Sequence, residues 1–269
     1  MPRIAASLLF FCSLMAGAPK RVVLAVWSHP DDETVIGPLV ARCVREGHDV
    51  WQVFLTSGQK GFTPNTAIKD GEELGRMREG EVRCSARALG AHEPILLGYQ
   101  DQGVSSPKIM AEVVEKLRRL IEEKKPDVIL TWGPDGVTGH PDHRTTSNLA
   151  SEVFQSPALL KHHPRKLYYV AFPDSLREEI RKSFGAPLRT VADDLITTEV
   201  ICEEADLVAA YRSIQCHKTQ WSAEVMKSRD VMMRGIFNRR VYLRLTFPAA
   251  PPSGCGRERS VMEGLEAGK

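Results

Sequence analysis

The chain has 269 residues, with 36 Lys and Arg against 34 Asp and Glu for a formal net charge of +2, a 42% hydrophobic fraction and eight histidines. This composition is that of a globular chain long enough to bury a sizeable core, and it excludes a disordered, collagen-like or polytopic membrane protein. The near balance of charge makes nucleic acid a poor candidate for the main partner.

At the N-terminus, Arg3 precedes an apolar run over residues 4–15, and Ala16-Gly17-Ala18 follows. That is the outline of a secretory signal peptide, and the run is too short for a membrane span of about twenty residues. The expectation is export through residues 1–18, with a cytoplasmic location otherwise and membrane contact only if the segment is retained. Pro19, the single positive residue and Cys12 inside the run weigh against cleavage.

From Arg21 the pattern alternates. Residues 22–27 form a continuous β-branched and aromatic run, expected as a central strand buried on both faces. A helix opens on Asp31-Asp32-Glu33 and stops near Gly47, with the acidic residues matching the helix dipole. A second strand is expected over 50–56, then a polar loop over 57–71 that could serve as a flap, a helix over 73–89 and a short strand over 95–97. Apolar residues at helical spacing from Ile109 to Ile121 end at Lys124-Lys125-Pro126, and a strand follows over 127–132. Beyond it lie a helix near 145–154, strands near 167–172 and 195–201, a helix over 205–216, and a last helical turn and strand within 234–247. Strands alternating with helices imply βαβ units and a mostly parallel sheet with right-handed crossovers. The catalytic domain is expected over 19–248, and residues 249–269 as a disordered tail.

The six cysteines, at positions 12, 43, 84, 202, 216 and 255, contain no C-x-x-C pair. They read neither as a disulfide scaffold nor as a cysteine zinc site, and Cys43, Cys84 and Cys202 are expected as small buried fillers. Loss of Cys12 with a signal segment would leave an odd number, which argues against full pairing.

Ligand sites in open α/β sheets lie beyond the carboxyl ends of the strands. Two such loops carry chemistry: His29-Pro30-Asp31-Asp32-Glu33, and residues 133–144 with His140-Pro141-Asp142-His143. A catalytic zinc takes three protein ligands and keeps an open position. His29 and Asp32 can converge across a strand-to-helix turn, and His143 can complete the set from the second loop. Asp31 is then placed to act as general base, and His140 to stabilise an oxyanion or protonate the leaving nitrogen. Either motif alone could be a turn and helix cap, but both together, each after a buried strand, favour a site. Glycine-rich nucleotide loops and a G-x-S-x-G elbow are absent.

These two motifs, with Arg78-Glu79-Gly80-Glu81, Leu97-Gly98-Tyr99-Gln100-Asp101 and His217-Lys218-Thr219-Gln220, resemble the LmbE/PIG-L family of zinc-dependent N-acetylglucosamine deacetylases over about residues 21–220. The resemblance implies a Rossmann-like three-layer α/β sandwich. It also implies Zn2+, or another divalent metal such as Fe2+, on His29, Asp32 and His143, with Asp31 as base and His140 assisting the transition state. Arg78 and Asp101 would contact sugar hydroxyls of a small-molecule N-acetylated conjugate. His217 and Gln220 match the family's helix-end pattern, where a pocket-rim or structural role stands equally with a catalytic one, and His162-His163 is expected to be solvated. The alternatives are a non-catalytic carbohydrate- or metal-binding module, or a deacylase of another sugar-linked amide.

Overall fold

The apolar run after Arg21 forms β1 (Val22–Trp27), in a computed structural model that describes residues 19–61, 66–184, 188–247 and 256–265. Its side chains alternate between faces, as a pleated strand requires. Val23, Ala25 and Trp27 enter one hydrophobic core, and Leu24 and Val26 enter the other. A 3-10 turn over Asp32–Ile36 leads into α1 (Gly37–Arg45), and β2 (Asp49–Thr56), α2 (Glu72–Leu89), β3 (Ile95–Tyr99), α3 (Pro107–Lys124) and β4 (Val128–Trp132) follow. Next come α4 (Pro141–Gln155), β5 (Lys166–Val170), α5 (Arg177–Phe184), β6 (Thr198–Ile201), α6 (Glu204–Ile214), α7 (Ala223–Arg234) and β7 (Arg240–Phe247).

The sheet runs β3-β2-β1-β4-β5-β7-β6, parallel from β3 to β5, with β7 antiparallel to both its neighbours. Helices α1, α2 and α6 cover one face, with Val40, Val82 and Leu207 in the core. Helices α3 and α4 cover the other through Leu117, Ile121 and Leu149. This is the expected α/β sandwich with a mostly parallel sheet. Among the described residues no helix is long and apolar enough to cross a membrane. Residues 1–18, the expected signal segment, lie outside the described residues.

Four expectations need correction. Helix α4 starts at Pro141 rather than near 145, so His143 rides on its first turn. Helices α5 and α7 had no full counterpart in the sequence reading. Ser222 caps α7 by accepting the Val225 N–H, but only Met226 and Met232 of that helix are buried, so its apolar periodicity is thin. Residues 256–265 do not trail into solvent: Glu258 bridges to Thr198 on the edge strand, and Val261 and Leu265 enter the core. Finally, Cys84 is bonded to Cys216, whereas Cys43 and Cys202 are free and buried as expected.

Candidate active site

Strands β1 and β4 are parallel neighbours, so the two histidine-bearing segments leave the same edge of the sheet side by side. A buried hydrogen bond between Ser28 Oγ and Thr146 Oγ1, 2.8 Å, ties one to the other. Asp32 turns back over the end of β1. Its Oδ2 accepts the N–H groups of Ser28 at 2.9 Å and His29 at 3.0 Å, and the indole N–H of Trp132 at 3.2 Å. Its Oδ1 lies 3.2 Å from His143 Nε2.

The two histidines are oriented by the nitrogen that faces away from this centre. His143 Nδ1 lies 3.0 Å from the Gly136 carbonyl, which can only accept, so Nδ1 carries the proton and Nε2 presents a lone pair. The Trp132 ring stacks on His143 at 4.4 Å. His29 Nε2 lies 3.2 Å from Asp101 Oδ1 and 3.4 Å from Asp142 Oδ2, which leaves its Nδ1 as the second lone pair. His29 Nδ1 and His143 Nε2 are 3.3 Å apart. Two facing lone pairs and a carboxylate oxygen repel one another unless a cation lies between them. Metal–ligand bonds of about 2.0–2.1 Å in a tetrahedron place neighbouring donor atoms about 3.3–3.4 Å apart. The separations of 3.2 and 3.3 Å, both measured from His143 Nε2, match that edge, and His29 Nδ1 lies 3.8 Å from the other carboxylate oxygen, Asp32 Oδ2. His29, Asp32 and His143 therefore fit a divalent metal, and Asp101 and Asp142 are carboxylates of the kind that orient metal-binding imidazoles.

Burial alone would lower the His29 pKa, but the carboxylates of Asp101, Asp142 and Asp32 overcome it and hold the ring well above its ordinary value. Burial would raise Asp32, and His143 and His29 instead hold it well below the usual carboxylate range. Asp101 is likewise brought down to about 2 against the effect of burial, by His29 and by the Lys60 N–H that donates to its Oδ2 at 3.0 Å.

Asp31 flanks this cluster with a left-handed backbone, φ 102° and ψ −20°, a conformation costly for a non-glycine residue. Burial raises its pKa, and the Arg78 guanidinium at 3.2 Å opposes the rise. His140 caps α4 by accepting the Asp142 N–H on Nδ1 at 3.1 Å, so its proton sits on Nε2. Its ring centre is 4.7 Å from that of His29 and 5.1 Å from that of His143. Burial, then the two neighbouring histidines, lower its pKa. His29, Asp31, Asp32, His140 and His143 all line one open cavity of about 350 Å³, with Lys60 and Gly61 of the 57–71 loop in its wall.

Arg78 and Asp101 also line the cavity. Arg78 donates to the carbonyls of Pro30 and Gly58 and pairs with Asp31, and a Cβ at Gly58 would overlap the guanidinium. Asp101 directs its two oxygens to His29 and to the Lys60 N–H. Both brace the loop and the imidazole, and both face the cavity in which the sugar contacts are expected. The sequence reading missed Asp142 and Trp132 as supports of the site, although Asp142 stands between two of its histidines. It also missed Trp221 and Arg229, which enter the cavity wall from the α6–α7 connection and from α7. Arg229 lies against the Trp221 ring, 3.9 Å from its centre, and burial brings its pKa down to about 10, so it stays cationic at neutral pH.

The profile of the family described as PIG-L: GlcNAc-PI de-N-acetylase matches residues 24–154, the segment from β1 to α4. A 1D-myo-inositol 2-acetamido-2-deoxy-alpha-D-glucopyranoside deacetylase from Thermobifida fusca is 32% identical over 255 residues, covering 80% of this chain and 88% of the relative. The chain belongs to the PIG-L family. A PIG-L relative of the same name from Thermobispora bispora is 32% identical over 240 residues, with 74% of this chain and 79% of the relative covered. Among solved structures, the N,N'-diacetylchitobiose deacetylase from Pyrococcus horikoshii superposes with a TM-score of 0.64 at 21% identity, covering 84% of this chain and 83% of that one. The 4-carboxy-2-hydroxymuconate hydratase GalB from Pseudomonas putida also reaches 0.64, at 16% identity over 87% of this chain and 100% of its own. A hydratase on the same scaffold means that the fold alone does not assign the reaction. The motifs and the PIG-L relatives do, and they make this chain a deacetylating hydrolase.

Proposed function

We propose that this PIG-L chain hydrolyses the acetamide of an N-acetylglucosaminyl compound to acetate and a free amine, using a divalent metal held by His29, Asp32 and His143. The observation that carries the reading is that His29 Nδ1 and Asp32 Oδ1 lie 3.3 and 3.2 Å from His143 Nε2, in an open cavity that Asp31 also lines. A divalent ion there, Zn2+ by preference for an N/N/O donor set, supplies Lewis acidity toward the acetamide carbonyl and the attacking water.

The chain's own groups supply the rest. The Asp31 carboxylate accepts the proton of the attacking water and returns it to the departing amine nitrogen. The His140 Nε2–H donates a hydrogen bond to the oxygen of the former carbonyl as negative charge gathers on it. Asp101 and Asp142 hold the His29 ring in one tautomer, and Arg78 keeps Asp31 beside the metal point. A second depression of about 250 Å³ shares Trp221 and Arg229 with the main cavity and is lined otherwise by α7 and Ser183, and it offers space for an aglycone. The compound in the relatives' names, 1D-myo-inositol 2-acetamido-2-deoxy-alpha-D-glucopyranoside, is the first conjugate to try.

The test is acetate release by the zinc-loaded chain over GlcNAc conjugates of varied aglycone, with metal analysis of the parent and of His29→Ala and His143→Ala. The expected result is turnover by the parent and loss of bound metal in both variants. A metal-loaded parent inert toward the whole panel would refute the hydrolytic reading and leave a binding module.

A further inference from the structure

The most conspicuous backbone strain beside the metal point is at Asp31, and a buried network outside the cavity is built around it. The Asp31 N–H donates to Glu33 Oε2 at 2.9 Å. Glu33 is 0% exposed and has no route to substrate. Its other oxygen, Oε1, takes the Ser85 hydroxyl at 2.5 Å and His217 Nε2 at 2.6 Å. Ser213, on α6, bonds the Ser85 hydroxyl in turn at 2.7 Å. His217 is also 0% exposed, so neither member of the pair can touch a ligand. Ser85 and His217 directly follow Cys84 and Cys216, the two halves of the disulfide, so a covalent link between α2 and the end of α6 holds both donors at one distance from Glu33.

A buried carboxylate is costly unless its oxygens are matched by donors. Here the donors come from positions 31, 85 and 217, far apart in the chain, and one of the bonds goes to the backbone of the residue whose torsions are strained. Strain of this kind persists only where the surroundings over-determine it.

We propose that Glu33 and His217 are positioning residues for Asp31: Glu33 clamps the Asp31 backbone in its left-handed conformation, and His217, anchored beside the disulfide, fixes the clamp. The inference rests on the reading of Asp31 as the base. Without the clamp Asp31 relaxes to an ordinary backbone conformation and its carboxylate leaves the attack position, while the metal ligands, held by Trp132, Gly136, Asp101 and Asp142, remain.

The experiment is a double-mutant cycle on the metal-loaded full chain. Glu33→Met fills the space without an acceptor, and it is expected to lower kcat about tenfold or more, with KM and bound metal unchanged. Glu33→Gln, which keeps an oxygen for the Asp31 N–H, is expected to recover kcat to within about threefold of the parent. In an Asp31→Asn background Glu33→Met should cost less than about twofold, because the residue it positions is already disabled. An equal loss in both backgrounds, or none in the parent, overturns the proposal. Should Glu33→Met not fold, His217→Leu, which leaves Glu33 native, runs the same cycle with the same two outcomes. If the parent releases no acetate from any GlcNAc conjugate, the functional reading has failed separately. A crystal structure of the Met or Leu variant then decides the clamp: relaxed Asp31 torsions support it, and unchanged ones overturn it.

Discussion

Replacing Glu258 by Ala tests whether the C-terminal segment is an integral part of the fold. Glu258 is 4% exposed and Lys166, on β5, is 2% exposed. The Lys166 ammonium donates to Glu258 Oε1 at 2.7 Å, and the Tyr168 and Thr198 hydroxyls donate to Oε2 at 2.6 and 2.8 Å. Burial, and then the adjacent Glu258 carboxylate, push the Tyr168 pKa up, so its hydroxyl stays a donor at any working pH. Glu258→Ala removes the carboxylate paired with the buried Lys166 ammonium, which is left with the neutral Tyr168 hydroxyl at 2.9 Å, and takes the shared acceptor from the Tyr168 and Thr198 hydroxyls. Removing one partner of a buried pair costs about 3–5 kcal/mol. At about 2–4 °C of Tm per kcal/mol for a chain near this size, the melting temperature should fall by roughly 6–20 °C. The double variant Lys166→Met/Glu258→Ala should regain most of that loss, because apolar replacement of a buried pair is often neutral. Calorimetry on the three proteins is the assay. A single variant melting within about 2 °C of the parent, or a double variant no more stable than the single, would refute the assignment of these residues to the core.

Three further outcomes follow from the same structure. Asp31→Asn should retain stoichiometric metal while kcat falls by about 10²–10⁴, the usual worth of a general base, as read by acetate release and metal analysis. Burial raises the thiols of Cys43 and Cys202 to about 12, so neither should react with iodoacetamide at pH 8 in the native protein, and both should react after denaturation, as mass spectrometry would read. The Cys84–Cys216 link spans 132 residues, and loop-closure entropy gives it up to about 5 kcal/mol. Reduction should therefore lower Tm measurably, and a reduced protein that melts with the oxidised one would remove the disulfide from the account.

Much of the fold could be read along the chain because buried parallel strands announce themselves. The runs at 22–27, 50–56 and 127–132 are apolar on both faces, and the charged amphipathic helices between them carry a clear period. The same logic failed where burial is one-sided or slight. Helix α7 buries little beyond Met226 and Met232, and residues 256–265 are held by Glu258 through a partner on β5 that no local pattern announces. The disulfide was illegible for a related reason, since pairing of Cys84 with Cys216 depends on the packing of α2 against α6.

At the site, the residue types and their spacing were sufficient to nominate His29, Asp31, Asp32, His140 and His143, because ligand chemistry restricts which side chains can bind a metal and strand ends restrict where they stand. What each of their neighbours does was decided only by tertiary structure. The family resemblance assigned Arg78 and Asp101 to sugar hydroxyls, and as single charges they read as solvent-facing. In the folded chain one is bound to two carbonyls and Asp31, the other to an imidazole and a backbone N–H. Glu33 and His217, 184 positions apart in sequence, share a 2.6 Å contact. A sequence records which groups can donate, accept or ligate. Which of those capacities remain available to a substrate depends on the partners that folding places within hydrogen-bond reach.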